Sequence, residues 1–272
     1  MIRVANAPCS WGVIENVAGE VRGYRQVLDE MTATGYSGTE LGDWGFMPTD
    51  PGMLRAELDA RGLALVASFS TPWLQDPARH RQGADDAVRI GRLLRAAGGP
   101  DALVVLGNDP YGDPVRGANA GRITPAMGLD TDGWRAFAAA ADELARRVRD
   151  EAGVRTVIHQ HLGTLVETMD EVRRFLDVTD PGLVGICLDT GHWTFGTGGN
   201  PVDAINEYRD RIWHVHFKDC DPAVVAESRR LGWHGLESTS HGVFCELGRG
   251  CVDFPGVLRA LQDTGYDGWI VV

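Results

Sequence analysis

Five of the eight histidines in this chain fall between Val157 and Phe217, in three short runs. They read His159-Gln160-His161, Asp189-Thr190-Gly191-His192 and His214-Val215-His216-Phe217-Lys218-Asp219. In extended chain, residues i and i+2 share a face. His159 therefore lies beside His161, and His214 beside His216 and Lys218. Imidazole nitrogens combined with a carboxylate suit a divalent transition ion, Mn²⁺, Co²⁺, Zn²⁺ or Fe²⁺, better than Ca²⁺, which asks for an all-oxygen cage. The zinc-protease spacing His-Glu-x-x-His is absent. A network of hydrogen-bonded packing histidines is the plainer alternative, and five imidazoles at three consecutive strand ends weigh against it.

Lys218 stands out by composition. It is the single lysine among 26 basic residues; the rest are arginine. An ammonium can exchange its proton where a guanidinium cannot, so Lys218 is expected to act on substrate, with a scaffold pairing to Asp219 as the alternative. Carboxylates at strand ends add candidate acids and bases: Glu40 after the second strand, Glu167 after the fifth, and Glu246 in a late loop. The alternatives are a salt bridge at the barrel mouth for Glu40, a helix N-terminal charge for Glu167 and a solvated loop residue for Glu246. Asn6, Ser10 and Trp11 close the first strand and are expected at the same mouth. Trp44, Phe46, Trp73 and Trp193 follow later strands, where aromatic faces stack on sugar C–H groups or simply pack beneath loops.

The elements that must carry these residues alternate from end to end. Eight short apolar runs bounded by Gly, Pro, Asp or Asn predict buried parallel strands at Ile2–Ala7, Gly38–Leu41, Ala64–Phe69, Ala102–Leu106, Arg155–His161, Leu183–Leu188, Ile212–Phe217 and Gly268–Val272. Helical periodicity falls between them, at Val21–Thr34, Pro51–Arg61, Pro77–Ala97, Trp134–Asp150, Glu167–Asp177, Val202–Tyr208 and Phe254–Thr264. Eight such units in 272 residues predict an α/β fold, a (β/α)8 TIM barrel forming a single domain over residues 1–272. An open doubly wound sheet is the alternative, and it lacks a glycine-rich phosphate loop after the first strand. Two long connections, Gly107–Asp132 and Lys218–Gly250, leave strand carboxyl ends and are expected to cover substrate.

Composition narrows the classes. The formal net charge of −12 gives no long-range attraction to nucleic acid or anionic membrane. No apolar run approaches the ~20 residues of a membrane helix, and the first residues do not read as a signal peptide. Five cysteines, odd in number and without a CxxC, fit a reducing cytoplasm.

The motifs together resemble the xylose-isomerase-like TIM-barrel superfamily, and most closely its inosose dehydratase branch. The resemblance rests on Asn6-Ala7-Pro8-Cys9-Ser10-Trp11-Gly12, Gly38-Thr39-Glu40-Leu41-Gly42, His159-x-His161-x-Gly163-Thr164-x-x-Glu167, Asp189-Thr190-Gly191-His192, His214-x-His216-x-Lys218-Asp219 and Gly265-Tyr266-x-Gly268-Trp269. It implies a lyase that removes water from 2-keto-myo-inositol with Mn²⁺ or Co²⁺. It places the metal on His159, Asp189 and His216, with Glu167, His161, His192 and Lys218 as catalytic groups and Asn6, Trp11, Glu40, Trp73, His214 and Glu246 as substrate contacts. Relatives carry a glutamate at the position that would follow Val272; either the chain continues past the sequence given, or Glu167, His161, Glu246 or water completes the metal shell. The same ligands serve a sugar isomerase or epimerase, and a barrel with an incomplete site would be a non-catalytic sugar binder. An abasic-site nuclease is disfavoured by the charge. The expected partner is a small sugar or cyclitol, with no nucleic acid and no membrane; a homo-oligomer is compatible with the resemblance.

Overall fold

Strand β1 (Arg3–Asn6) opens a closed barrel of eight parallel strands in the computed structural model, which describes residues 2–13, 22–108 and 112–272. It is followed by β2 (Gly38–Glu40), β3 (Ala64–Ser70), β4 (Leu103–Leu106), β5 (Arg155–His159), β6 (Val184–Asp189) and β7 (Ile212–His216). Two short strands, β8 (Asp219–Cys220) and β9 (Phe244–Cys245), pair antiparallel outside the barrel, and β10 (Trp269–Val271) closes it between β7 and β1. All eight expected strands are present; most are one or two residues shorter, whereas β3 runs one residue further, to Ser70, and β6 is shifted by one, to Val184–Asp189. The expected helix from Val21 begins at Tyr24, with Val21 itself outside the described residues.

Alternation along the strands sorts two cores. Val104, Leu106, Ile158, Ile186, Leu188 and Val215 face outward against the helices. Leu103, Val105, Val157, Cys187 and Val271 fill the interior with Trp269. Large and small residues interlock there: a Cβ on Gly38 would lie 2.8 Å from the Trp269 ring, and one on Gly185 would lie 2.3 Å from Trp213. The indoles occupy space that only glycine leaves open. No described helix is long and apolar enough to cross a membrane.

The outer helices begin and end where their side chains dictate. The Asp130 carboxylate accepts from Gly133 N and starts the helix Thr131–Ala152, whose stripe of Trp134, Phe137, Ala141, Leu144 and Val148 is buried before Gly153 ends it in the left-handed region. Thr168 and Glu171 form a capping box at the helix Met169–Val178. That helix was expected from Glu167, which instead lies in the preceding loop.

The two long connections are folded, and they meet. The first contains the helix Pro114–Ala118 and the second the helices Pro222–Leu231 and Gly235–Ser240. Arg122 donates to the carbonyls of Ser228 (3.3 Å) and Trp233 (3.1 Å), and Gly117 lets the His234 ring approach so closely that a Cβ there would sit 2.6 Å from Nε2. Arg116, fully buried, anchors the first connection: it pairs with both oxygens of Glu171 at 2.9 Å and donates to the carbonyls of Thr164 and Met127. Removing one partner of such a pair strands a buried charge, at a cost of about 3–5 kcal/mol. Arg116→Met should therefore lower the melting temperature sharply in a thermal denaturation scan, and Arg116→Met with Glu171→Gln, which removes the stranded charge and keeps an acceptor for the capped amides, should recover part of the loss. A melt within 2 °C of the parent, about what 1 kcal/mol moves in a chain of this size, would contradict this role.

Candidate active site

β6 ends on Asp189, which is also the N-cap of the helix Thr190–Thr197. Its Oδ1 accepts from the Gly191 and His192 amides, both at 2.9 Å, as a capping carboxylate does. Its Oδ2 is buried and has no hydrogen-bond partner among the described residues. Around that oxygen stand three nitrogens: His159 Nε2 at 3.4 Å, Lys218 Nζ at 3.5 Å and His216 Nδ1 at 3.7 Å. The three strand ends thus deliver the expected imidazoles and carboxylate into one small volume.

Two β-bulges aim the rest. Between β6 and β7 the register slips at Ile186/Cys187, so that Cys187 pairs with His214 and Trp213 is the extra residue. Between β2 and β3 it slips at Thr39/Glu40. Bulges re-aim side chains beside functional sites. Here they bring Glu40 across the mouth to His214 and His216, whose Nε2 atoms lie 2.9 and 3.0 Å from the same oxygen, Glu40 Oε1. A carboxylate can only accept, so His216 carries its proton on Nε2 when neutral and turns the Nδ1 lone pair toward Asp189. Cys187, two residues before Asp189 on the same face, brings its sulfur within 4.8 Å of nitrogens of His159 and His216. Sequence reasoning did not include it; the i, i+2 relation to Asp189 was the available signal.

The His161 and His192 rings lie against each other, tilted, with centroids 3.8 Å apart. Both are held by Leu162. His161 Nδ1 donates to the Leu162 carbonyl at 2.7 Å, and His192 Nδ1 accepts from the Leu162 amide at 3.3 Å. The two neutral rings are therefore opposite tautomers: Nε2 is the unprotonated nitrogen of His161 and the protonated nitrogen of His192.

Charge follows burial and pairing. Burial, reinforced by neighbouring cations, pushes the His159 ring down to about 4, and burial with His159 pushes His161 down to about 3, so both are neutral at pH 7. Burial also works on Asp189, Glu40, His216 and Lys218, but their mutual attraction outweighs it. Lys218, with the His159 and His216 rings facing the carboxylate, holds Asp189 well below the usual carboxylate range, and His216 and His214 do the same for Glu40. Cys187, Glu40 and Asp189 hold His216 well above the usual range, and Asp189 raises Lys218. The cluster thus contains two carboxylates that require cations.

The other expected contacts are placed as follows. Asn6 is buried at the end of β1 and accepts from Ser10 Oγ at 2.8 Å. Trp11 was expected at the mouth, but its indole donates to Glu30 at 2.6 Å and its ring packs on the outer core. The Trp73 ring lies under the Arg79 guanidinium at 4.0 Å. Glu246 is exposed in the turn after β9. Glu167 accepts from the Gly121 (2.7 Å) and Gly163 (2.6 Å) amides, tying two loops together, and burial raises its carboxyl to about 7. Lys218 pairs with Asp189, leaving Asp219 to accept from the amides of Cys220, Gly248, Gly250 and Val252.

The donor set fits a divalent transition ion. It contains an unpartnered buried carboxylate oxygen, a tautomer-fixed imidazole facing it, a second neutral imidazole, and the carboxylate behind the first that commonly supports a metal-bound histidine.

A family model described as xylose isomerase-like TIM barrel matches residues 28–272. Over 274 residues the chain is 32% identical to an inosose dehydratase of Lacticaseibacillus casei, covering 100% of this chain and 89% of that protein. Over 277 residues it is 34% identical to the rhizopine catabolism protein MocC of Rhizobium meliloti, covering 100% and 81%. Among solved structures, the IOLI protein with a zinc atom aligns with a TM-score of 0.70 at 14% identity, covering 100% of this chain and 88% of that one, a likeness of fold.

Proposed function

We propose, for a chain that belongs to the xylose isomerase-like TIM-barrel family, that it is a divalent-metal-dependent dehydratase of a keto-cyclitol, of the inosose dehydratase type. It is an enzyme of that family. The observation that carries the reading is the buried Asp189 Oδ2, without a hydrogen-bond partner among the described residues and faced by His159, His216 and Lys218. His159, Asp189 and His216 would hold the ion, with Mn²⁺ or Co²⁺ proposed. The bound ion supplies Lewis-acid stabilisation of negative charge on a ketone oxygen.

The remaining groups divide the proton work. Elimination of water beside a ketone needs a base for the α-proton and an acid for the departing hydroxyl. His161, neutral and unprotonated at Nε2, is the base. Lys218, held as an ammonium beside Asp189, is the acid. His192, protonated at Nε2, orients substrate hydroxyls, while Phe244, its ring tilted against His192 with centroids 4.8 Å apart, helps to exclude water. Glu40 fixes the His216 tautomer instead of touching substrate.

The test is incubation of the Mn²⁺- or Co²⁺-loaded protein with 2-keto-myo-inositol, read by mass spectrometry and ultraviolet absorbance. Loss of one water with a new conjugated-dione absorbance is expected. A mass-neutral product would replace the reading with isomerisation or epimerisation, and an unchanged substrate would refute the proposed substrate.

A further inference from the structure

Between His159 and His161, which face the mouth, Gln160 points the other way and is fully buried. The β5–β6 ladder ends at the pair His159–Cys187, because the chain after β5 turns out of the sheet and the His161 amide donates to the Val166 carbonyl at 3.1 Å. Asp189 lies two residues past Cys187 on β6, beyond the reach of that ladder. The Gln160 side chain takes over from the missing backbone. Its Oε1 accepts from the Asp189 amide at 3.2 Å, and its Nε2 donates to the Asp189 carbonyl at 2.6 Å. A side-chain amide carries one donor and one acceptor on a single planar group, as a peptide does, so it can continue a parallel ladder by one step.

With these two bonds Asp189 is held at four points. Its backbone is fixed by Gln160, and its Oδ1 is fixed by Gly191 and His192. Both χ angles are then determined, and Oδ2 is left aimed at His159 and His216. We propose that Gln160 is a positioning residue, which sets the direction of the Asp189 carboxylate toward a divalent ion without touching the ion itself. The inference rests on the metal reading above but not on the substrate or the reaction assigned there. Outer-shell partners of metal ligands typically change affinity by about 10–100-fold when lost, and a backbone amide and carbonyl left buried without partners would let Asp189 shift to find new ones.

The experiment is a Co²⁺ titration of chelator-treated protein, followed by the visible d–d absorbance, with thermal melts of the metal-free proteins alongside. Gln160→Met keeps the length of the side chain and removes both bonds. It is expected to weaken Co²⁺ binding about 10–100-fold and to alter the d–d band. Gln160→Asn keeps the amide one methylene short, and it is expected to bind more weakly than the parent as well; it serves also if the methionine variant does not fold. Arg116→Met, destabilised elsewhere, is expected to melt low while keeping the parent's Co²⁺ affinity. If the Gln160 variants melt low but bind Co²⁺ within twofold of the parent with an unchanged band, Gln160 is scaffold only and the inference is overturned. If the parent protein itself binds no Co²⁺, the metal reading fails and this inference goes with it. Because no substrate is involved, a failed dehydration assay leaves both outcomes readable.

Discussion

Asp189→Asn is expected to yield a folded protein that no longer retains a divalent ion. The choice of asparagine matters. Asp189 does two jobs with two oxygens: Oδ1 caps the helix Thr190–Thr197 through the Gly191 and His192 amides, and Oδ2, without a hydrogen-bond partner among the described residues, stands beside His159, His216 and Lys218. Alanine removes both, and loss of the cap alone costs about 1 kcal/mol. Asparagine keeps an acceptor for the cap and puts an NH₂ group in place of Oδ2. It also removes the negative charge that keeps Lys218 protonated and helps to do so for His216. The loss of Co²⁺ or Mn²⁺ affinity should exceed the roughly 10–100-fold that an outer-shell partner accounts for, with turnover falling in step at limiting metal. Equilibrium dialysis with metal analysis measures it. Parent-like retention in Asp189→Asn would remove this carboxylate from the ligand set.

The barrel was legible because each strand is a short apolar run stopped by a turn residue, a local signal that needs no knowledge of neighbours. The runs at Leu103–Leu106 and Val184–Asp189 are examples. That imidazoles and a carboxylate would converge from three strand ends followed from period-two alternation and barrel closure, whereas singling out His159, Asp189 and His216 among them needed the family resemblance. What was not legible depends on pairs of strands. The slips at Thr39/Glu40 and Ile186/Cys187 are relations between chains of hydrogen bonds, and neither residue pair carries a local mark of a bulge. Without them Glu40 reads as a contact for substrate; with them it faces His214 and His216. The Arg116–Glu171 pair joins residues 55 apart through two loops, so no spacing rule reaches it. The helix Pro222–Leu231 is a different case. Asp221 at its N-cap, proline at its first position and Gly232 in the left-handed region at its end are all sequence signals, which the reading of that stretch as one loop passed over.

Lys218→Arg is expected to retain the ion and lose most turnover. The lysine stem lies flat against Gly191, where a Cβ would come within 2.8 Å of Lys218 Cβ, and its Nζ reaches a point 3.5 Å from Asp189 Oδ2 and 5.4 Å from the centre of the Phe244 ring. Burial acts to strip its proton, but Asp189, together with Cys9 and Cys220, outweighs burial and raises its affinity for that proton. At neutral pH it is thus an acid rather than a base, able to hand a proton to a leaving hydroxyl and be recharged from solvent. Arginine preserves the positive charge beside Asp189 but does not release a proton in a protein. A positioned proton donor contributes about 10²–10⁴-fold to such a step, so kcat at saturating metal should fall by about that factor while Co²⁺ affinity stays near the parent value. Lys218→Met separates charge from proton transfer, because it removes both and should perturb metal affinity as well as turnover. If Lys218→Arg turns over within threefold of the parent, the residue serves only to balance Asp189 and is not the proton donor to the departing hydroxyl.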